Sequence, residues 1–388
     1  MPMLYGPLLE CPSCKQPKSY GRCFIGDSGL MFRCQRCAHC HLEPLPTAKK
    51  KIIYIDQFAL SKMVKLKGDT FWSHLYRRLI DLASEDLIAC PYAFIHAEES
   101  LLSIALRSAL KGVYRQIGGH DEFKRPGEIE KAQLTRLLKQ FVGKPDPEPE
   151  PSWTDWAKKN PHCWSDLFHV HVDFDIDEDA VRSLREDKER FRKIMEGQCE
   201  EWKKKPQSFE EDVESNYVSW RTTLLKTRWH LVDWLVRWVL VLNGYECHPV
   251  FDKTLPAETW KKALGVVNEF FLSETWKQAL FIWLWVRVWA KIAEMARNPK
   301  GGRKPQPGDY YDCQVLAYYS PYCDAMFIDG GFRAIACAPQ LNVEARFGTR
   351  CFSEKNRDEF IAYFDDIERM MPQDHKDALL FVHPTEDE

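Results

Sequence analysis

Residues Lys49–Met63, KKKIIYIDQFALSKM, set the fold of the chain. Ile52, Ile53, Tyr54 and Ile55 form a short apolar run rich in β-branched residues, as in a strand buried on both faces of a parallel sheet. The run ends on Asp56, and the spacing then turns helical through Leu60, Met63 and Val64. An acid at the carboxyl end of such a strand stands where open α/β sheets place their ligands. Taken alone, Asp56 is more simply the N-cap of the following helix. Other acids must decide between the two roles.

Working outward, Asp86–Cys90 (DLIAC) is a second buried strand, and a helix from Tyr92 to about Ile117 carries His96, Glu98 and Glu99 in its first turns. At the far end, Cys313–Tyr319 is helical, Ala325–Ile328 (AMFI) and Thr349–Phe352 are short strands, and Ser353 caps a helix over Glu354–Met371. The chain ends thus spell one parallel α/β sheet with flanking helices, interrupted by a large, mostly helical insertion over residues 120–300. Within it, Glu178–Lys205 is a solvated helix, Asn216–Leu242 one long Trp-rich helix, Leu255–Leu272 a helix with Pro256 at its first position, and Ser273–Arg297 a helix capped by Ser273. Trp234/Trp238 and Trp285/Trp289 are i,i+4 pairs whose spacing suits core packing better than base stacking. Gly143–Ser152 is a Pro- and Glu-rich linker, and Gly301–Gly308 a flexible return. Leu167–Asp177 alternates as a half-buried strand whose His169, His171, Asp173, Asp175 and Asp177 form an acidic edge in preference to a metal cluster.

Before the opening strand stand Cys11-Pro-Ser-Cys14 and Cys34-Gln-Arg-Cys37. Two CxxC knuckles at this separation, around a hairpin of Ser19–Ile25 and Leu30–Arg33, can place four thiolates about one Zn²⁺ as in a zinc ribbon. Cys40 or His41 can replace Cys37, Cys23 is a spare thiol and His39 is exposed. So small a unit has little core, and zinc would supply its folding energy. The units are therefore a ribbon over 1–45, a sheet domain in two parts over 46–119 and 301–383, the insertion between them, and an acidic tail over 384–388. Residues 42–48 serve as a linker.

The whole chain has 388 residues and a net charge of −3, which gives no global argument for nucleic acid. Residues 1–51 differ, with eight lysines and arginines against three acids, a local charge of +5. Arg22, Arg33, Arg36, Lys49, Lys50 and Lys51 are candidates to hold a phosphate backbone. The first residues lack a signal-peptide pattern, and Ala279–Ala293 is too short and too charged to span a membrane. With 14 cysteines arranged as metal-type pairs or scattered among apolar neighbours, reduced thiols and a cytoplasmic location are expected, with no membrane partner.

Four acids fall on the carboxyl edge of the expected sheet: Asp56, Glu99, Asp312 and Asp329. Grouped carboxylates at such an edge bind Mg²⁺ or Mn²⁺ through oxygen, and these ions activate water against a phosphodiester. Unpaired, they repel one another, which makes a purely structural role costly. Asp309 is the alternative to Asp312, and Glu99 is preferred to Glu98. Asp324 is a fifth acid or a turn residue. Gln57 orients a phosphate or water, and His96 supports the site from behind rather than acting as a base.

The order strand-Asp56, helix-Glu99, Asp312, Asp329, with IYIDQFALSKM, PYAFIHAEESLL and DCQVLAYYSPYCDAMFIDGGF, resembles PIN and PIN-like metal-dependent nucleases over residues 50–117 and 305–371. The resemblance implies a PIN-like sheet, up to two Mg²⁺ or Mn²⁺ ions held by the four acids, and cleavage of single-stranded RNA in preference to DNA. The chain departs from that pattern in the roughly 180 residues between its second and third acids and in Gly330-Gly331 after Asp329. The insertion can serve as lid, substrate selector or self-association surface. The competing expectation is a non-catalytic nucleic-acid or protein-binding module on a degenerate PIN-like fold.

Overall fold

The computed structural model describes residues 4–26, 29–66, 68, 70–96, 109–110, 112–113, 116–117, 121–145, 152–164, 178–245, 255–298, 306 and 308–382. Glu98, Glu99, most of the helix expected up to Ile117, the alternating stretch 167–177, much of the linker 143–152 and of the return 301–308, and the acidic tail lie outside them.

An antiparallel sheet opens the chain: β1 (Tyr5–Leu9), β2 (Tyr20–Gly26), β3 (Gly29–Cys34) and β4 (Cys40–Glu43), neighbours in that order. β2 and β3 are the expected hairpin. Gly29 sits at φ +142, and a Cβ there would stand 2.1 Å from the Glu43 carbonyl oxygen, so only glycine fits. Two further strands flank the hairpin, and Leu42 and Glu43, expected in a linker, belong to β4.

The second sheet is wholly parallel, in the order β6 (Ile88–Ala89), β5 (Lys51–Ile55), β7 (Ala325–Phe327), β8 (Arg350–Phe352). Alternation divides its residues between two cores. Ile53, Ile55, Ala325, Phe327 and Phe352 face α1 (Gln57–Lys65), α2 (Thr70–Ser84) and α13 (Arg357–Arg369). Ile52, Tyr54, Met326 and Cys351 face the other way. There they meet α3 (Pro126–Phe141), α10 (Asp309–Tyr319) and α11 (Gly330–Ala336), with the helices of residues 209–297 continuing the same core. The long insertion therefore packs as the sheet's second covering layer, which is why the strands read as continuous apolar runs.

The amphipathic helical stretch that the spacing predicts from Asp56 to about Ser84 is two helices, because Leu66 leaves helical geometry at φ −104, ψ 47. The single Trp-rich helix is also two, α6 (Phe209–Thr227) and α7 (Trp229–Leu242), following α4 (Trp153–Trp156) and α5 (Glu178–Lys204). Arg228 between them takes φ −105, ψ 47, and its guanidinium reaches both carboxylate oxygens of Glu130 on α3 at 2.5 and 2.6 Å. The Tyr318 hydroxyl donates to the same Glu130 carboxylate, itself 3% exposed. A distant ion pair thus breaks a helix that local spacing would continue. Pro256 is the N-cap of α8 (Ala257–Leu272) rather than its first residue. Ser273, expected to cap the next helix, is instead the C-cap of α8. Its hydroxyl accepts from the Thr275 amide at 3.2 Å at the start of a short 3-10 turn, Thr275–Gln278, and Ala279 is the N-cap of α9 (Leu280–Arg297). Ser353 caps a 3-10 turn, Glu354–Asn356, ahead of α13. The Trp234/Trp238 pair packs as expected, while Trp285 and Trp289 pack against the core and also line a cavity. Trp234 donates to Thr135 on α3, and Lys131 and Lys139 cover the Trp234 and Trp238 rings at 4.8 and 4.6 Å.

Outside the insertion three helices have no counterpart among the sequence-based expectations, α11, α12 (Val343–Phe347) and α14 (Gln373–Val382). The last carries the ribbon. Ile25 and Leu30 share a small core with Ala378, Val382, Ala48 and Trp164. Arg22 donates to the Val382 carbonyl at 3.1 Å and lies over the Phe381 ring, while the Trp164 indole donates to the Pro46 carbonyl at 2.7 Å.

Candidate functional site

β5 and β7 are adjacent, with Ile55 opposite Phe327, and the Asp56 amide donates to the Phe327 carbonyl at 3.0 Å. Asp56 and Asp329 therefore leave neighbouring strands at the same edge, with strands about 4.8 Å apart. Each begins a helix. Asp56 Oδ1 accepts from the Phe58 amide at 3.1 Å, and Asp329 Oδ1 accepts from the Gly331 and Phe332 amides at 2.7 and 3.2 Å. The N-cap role is real for both, and it holds each carboxylate at the strand end by the N–H groups it satisfies. Asp56 is half-buried and Asp329 exposed.

Asp312 occupies the first turn of α10, the crossover helix that runs back into β7. An antiparallel crossover puts that first turn at the carboxyl edge. At the other end of α10, Tyr319 stacks on Tyr54 of β5 at 6.2 Å. Asp309 is fully buried and accepts from the Gln306 amide at 3.0 Å, closing the turn into the helix. That placement makes it a frame residue, and Asp312, half-exposed, is the better candidate of the two.

Asp324 stands elsewhere. It precedes β7, accepts from the Ile52 amide at 2.8 Å and pairs with Lys51 at 2.7 Å. This is the amino edge of the sheet, a strand's length from Asp56, so a fifth-acid role is ruled out by position. His96 is 1% exposed and stacks on Tyr54 at 5.0 Å. Its Nδ1 accepts from the Ala93 amide. Burial drives its pKa down to about 3 against an opposing hydrogen bond with the Ile55 backbone. It is a neutral wedge behind Asp56 and not a proton carrier near neutrality. Gln57, also buried, begins α1 beside Asp56.

The Sγ atoms of Cys11, Cys14, Cys34 and Cys37 lie within 4.8 Å of one another and form the one group of three or more His, Cys, Asp or Glu placed to hold a metal ion among the described residues. Four sulfurs at about 2.3 Å from a central zinc stand about 3.8 Å apart in a tetrahedron. Cys11–Cys37 and Cys14–Cys34 both measure 3.7 Å, so the set fits such an ion. The four sulfurs compete for charge. Burial opposes ionisation of Cys34, but the Ser19 hydroxyl and the Arg36 and Cys37 amides outweigh it and bring that thiol down to about 6. At Cys14, in contrast, the Gln16 backbone hydrogen bond is outweighed by burial and the neighbouring thiols, which push it up to about 11. A sulfur held as thiolate is the form that binds metal. Cys37, not Cys40 or His41, completes the set; Cys40 is exposed and His41 meets Glu43 at 3.0 Å. His39 is half-exposed against Tyr20.

The basic residues assigned to phosphate divide. Arg33, Arg36 and Lys49 are exposed. Arg22 is buried in the contact with α14 described above. Lys50 is buried as well, in an ion pair with Asp86 at 2.6 Å whose side chains are 4% and 0% exposed. Lys51 is engaged by Asp324. Charge counting along the sequence does not distinguish a cation that faces solvent from one that a buried acid already holds, and Arg22 and Lys50 are withdrawn as phosphate contacts.

Comparison with known proteins adds no assignment: no family model, curated protein or solved structure matches the chain. No helix among the described residues is long and apolar enough to cross a membrane.

Proposed function

We propose that the chain is a metal-dependent phosphodiesterase of the PIN-like kind, acting on single-stranded RNA, with a zinc-stabilised ribbon. One observation carries the reading: a parallel sheet whose two central strands end side by side on Asp56 and Asp329, with Asp312 on the crossover helix between them in sequence. The carboxylates of Asp56, Asp312 and Asp329 do not form a group within 4.8 Å of one another as the four cysteines do. On this reading they, with Glu99, would have to close on Mg²⁺ or Mn²⁺, which supplies charge neutralisation and an activated water when bound. The chain's own contribution is positional. The helix caps fix Asp56 and Asp329, and the buried His96–Tyr54–Tyr319 stack stiffens the strand and helix that carry Asp56 and Asp312.

The test uses the capping geometry. Asn caps helices about as well as Asp, so Asp56→Asn and Asp329→Asn should keep their melting temperatures to within a few degrees. Both should lose Mn²⁺-dependent cleavage of end-labelled single-stranded RNA by roughly a hundredfold or more, the scale of losing one electrostatic element of an active site. Wild-type rates in both variants would refute the reading. One observation favours the competing non-catalytic module, namely that both aspartates already serve as caps; absence of cleavage by the wild type with Mg²⁺ and Mn²⁺ on RNA and DNA panels would decide for it.

For the ribbon, one zinc per chain should be found by elemental analysis. Cys14→Ser should release the metal and open residues 1–45 to protease, since the apolar contacts at the knuckles are only Cys11, Tyr20, Cys34 and their neighbours.

A further inference from the structure

Beside the carboxyl edge lies a cavity of about 460 Å³, within the range of small-ligand sites. Its walls come from four places. Phe94 follows β6, two residues before the His96 that backs Asp56; Arg125 caps α3; Arg190 and Phe191 lie on α5, and Tyr310 and Tyr311 on the first turn of α10 next to Asp312. The Arg125 guanidinium lies over the Phe94 ring at 5.2 Å, and Phe191 meets Tyr310 at 4.7 Å. Arg190 is exposed. A second cavity of about 340 Å³ shares Phe191, Ile194 and Tyr310 with the first and continues past Trp202, Trp285 and Trp289.

We propose that these joined cavities are the track for the single strand, seating unpaired nucleotides next to the acid edge. Aromatic faces accept any base by stacking, and guanidinium groups hold the phosphates between bases. Most of the lining belongs to the long insertion, which thereby extends the acid edge into a groove. Duplex, whose bases are already stacked on each other, offers no free faces to these rings. The inference rests on the nuclease reading, but binding and cleavage are read separately.

The experiment measures anisotropy of a short fluorescein-labelled oligouridylate without added Mg²⁺ or Mn²⁺, so that the strand stays intact. Arg190→Glu, at an exposed position, and Phe191→Ala should each bind about tenfold more weakly than wild type while keeping the native far-ultraviolet circular dichroism. Arg190→Glu should also lower the slope of log affinity against log salt by about one. Wild-type affinity in both variants overturns the track, as does failure of the wild type to bind the strand. Displacement of the oligonucleotide by uridine monophosphate at equal concentration would overturn the strand in favour of a free-nucleotide pocket. Binding that follows the expected pattern, in a protein that cleaves nothing with Mn²⁺, would leave the track standing and remove the nuclease.

Discussion

The two edges of the parallel sheet treat their acids differently. At the amino edge Asp86 and Asp324 are each joined to a lysine from the segment that opens β5, Asp86 with Lys50 and Asp324 with Lys51. At the carboxyl edge Asp56 and Asp329 accept main-chain N–H groups, and Asp329 has no ion pair among the described residues. A carboxylate matched to a lysine has its charge balanced within the protein. Asp329, held among the described residues by a helix terminus, keeps most of its charge for something else. The contrast separates acids matched to a lysine from acids that cap a helix at the strand end, and it does so without reference to any relative.

The sharpest way to break this comparison is at Lys50. Lys50→Met leaves Asp86 buried without its partner and should cost about 3–5 kcal/mol, read as a lower urea midpoint; at the other edge Asp329→Asn should leave that midpoint nearly in place. An unchanged midpoint for Lys50→Met would erase the distinction between the edges. Next in size is a pH effect at Asp121. Burial first, and then the Asp86 carboxylate, raise its pKa to about 6 from 3.8, against the pull of Lys50 and Lys159. A group whose folded pKa is raised adds stability that is full below its unfolded value and is lost as pH climbs through the folded one. Asp121→Asn should therefore gain on wild type progressively between about pH 4 and pH 6–7 in denaturation experiments. A constant difference across that range would contradict the assignment. The smallest effect is expected for Lys51, whose side chain is 44% exposed in its pair with Asp324. Lys51→Ala should cost about 1 kcal/mol or less by the same measurement.

Much of this could be read in the sequence, and the failures share a cause. The CxxC spacings located the four thiols, because metal geometry is local to the knuckles. The run Ile52–Ile55 gave β5, and acids after apolar runs gave the strand ends. What spacing does not carry is the partner on another element. Arg228 breaks the Trp-rich helix because Glu130, some 98 residues away, holds it. In sequence Arg22 and Lys50 read as solvent-facing cations, whereas α14 and Asp86 cover them. Asp324 reads either way in sequence, and its contacts with Ile52 and Lys51 put it at the amino edge. Strand order and register place Asp56 and Asp329 side by side, and the pattern of acids alone could propose that neighbourhood without establishing it.

The contact between the ribbon and α14 spans 360 residues, from Arg22 to the Val382 carbonyl. During vectorial synthesis the ribbon therefore emerges well before the surface it lands on. Until then Ile25 and Leu30, fully or nearly buried in the folded chain, have only part of their cover, from neighbours such as Phe32, Leu45 and Ala48. The ribbon can close its knuckles early, but its small core is completed only when α14 arrives.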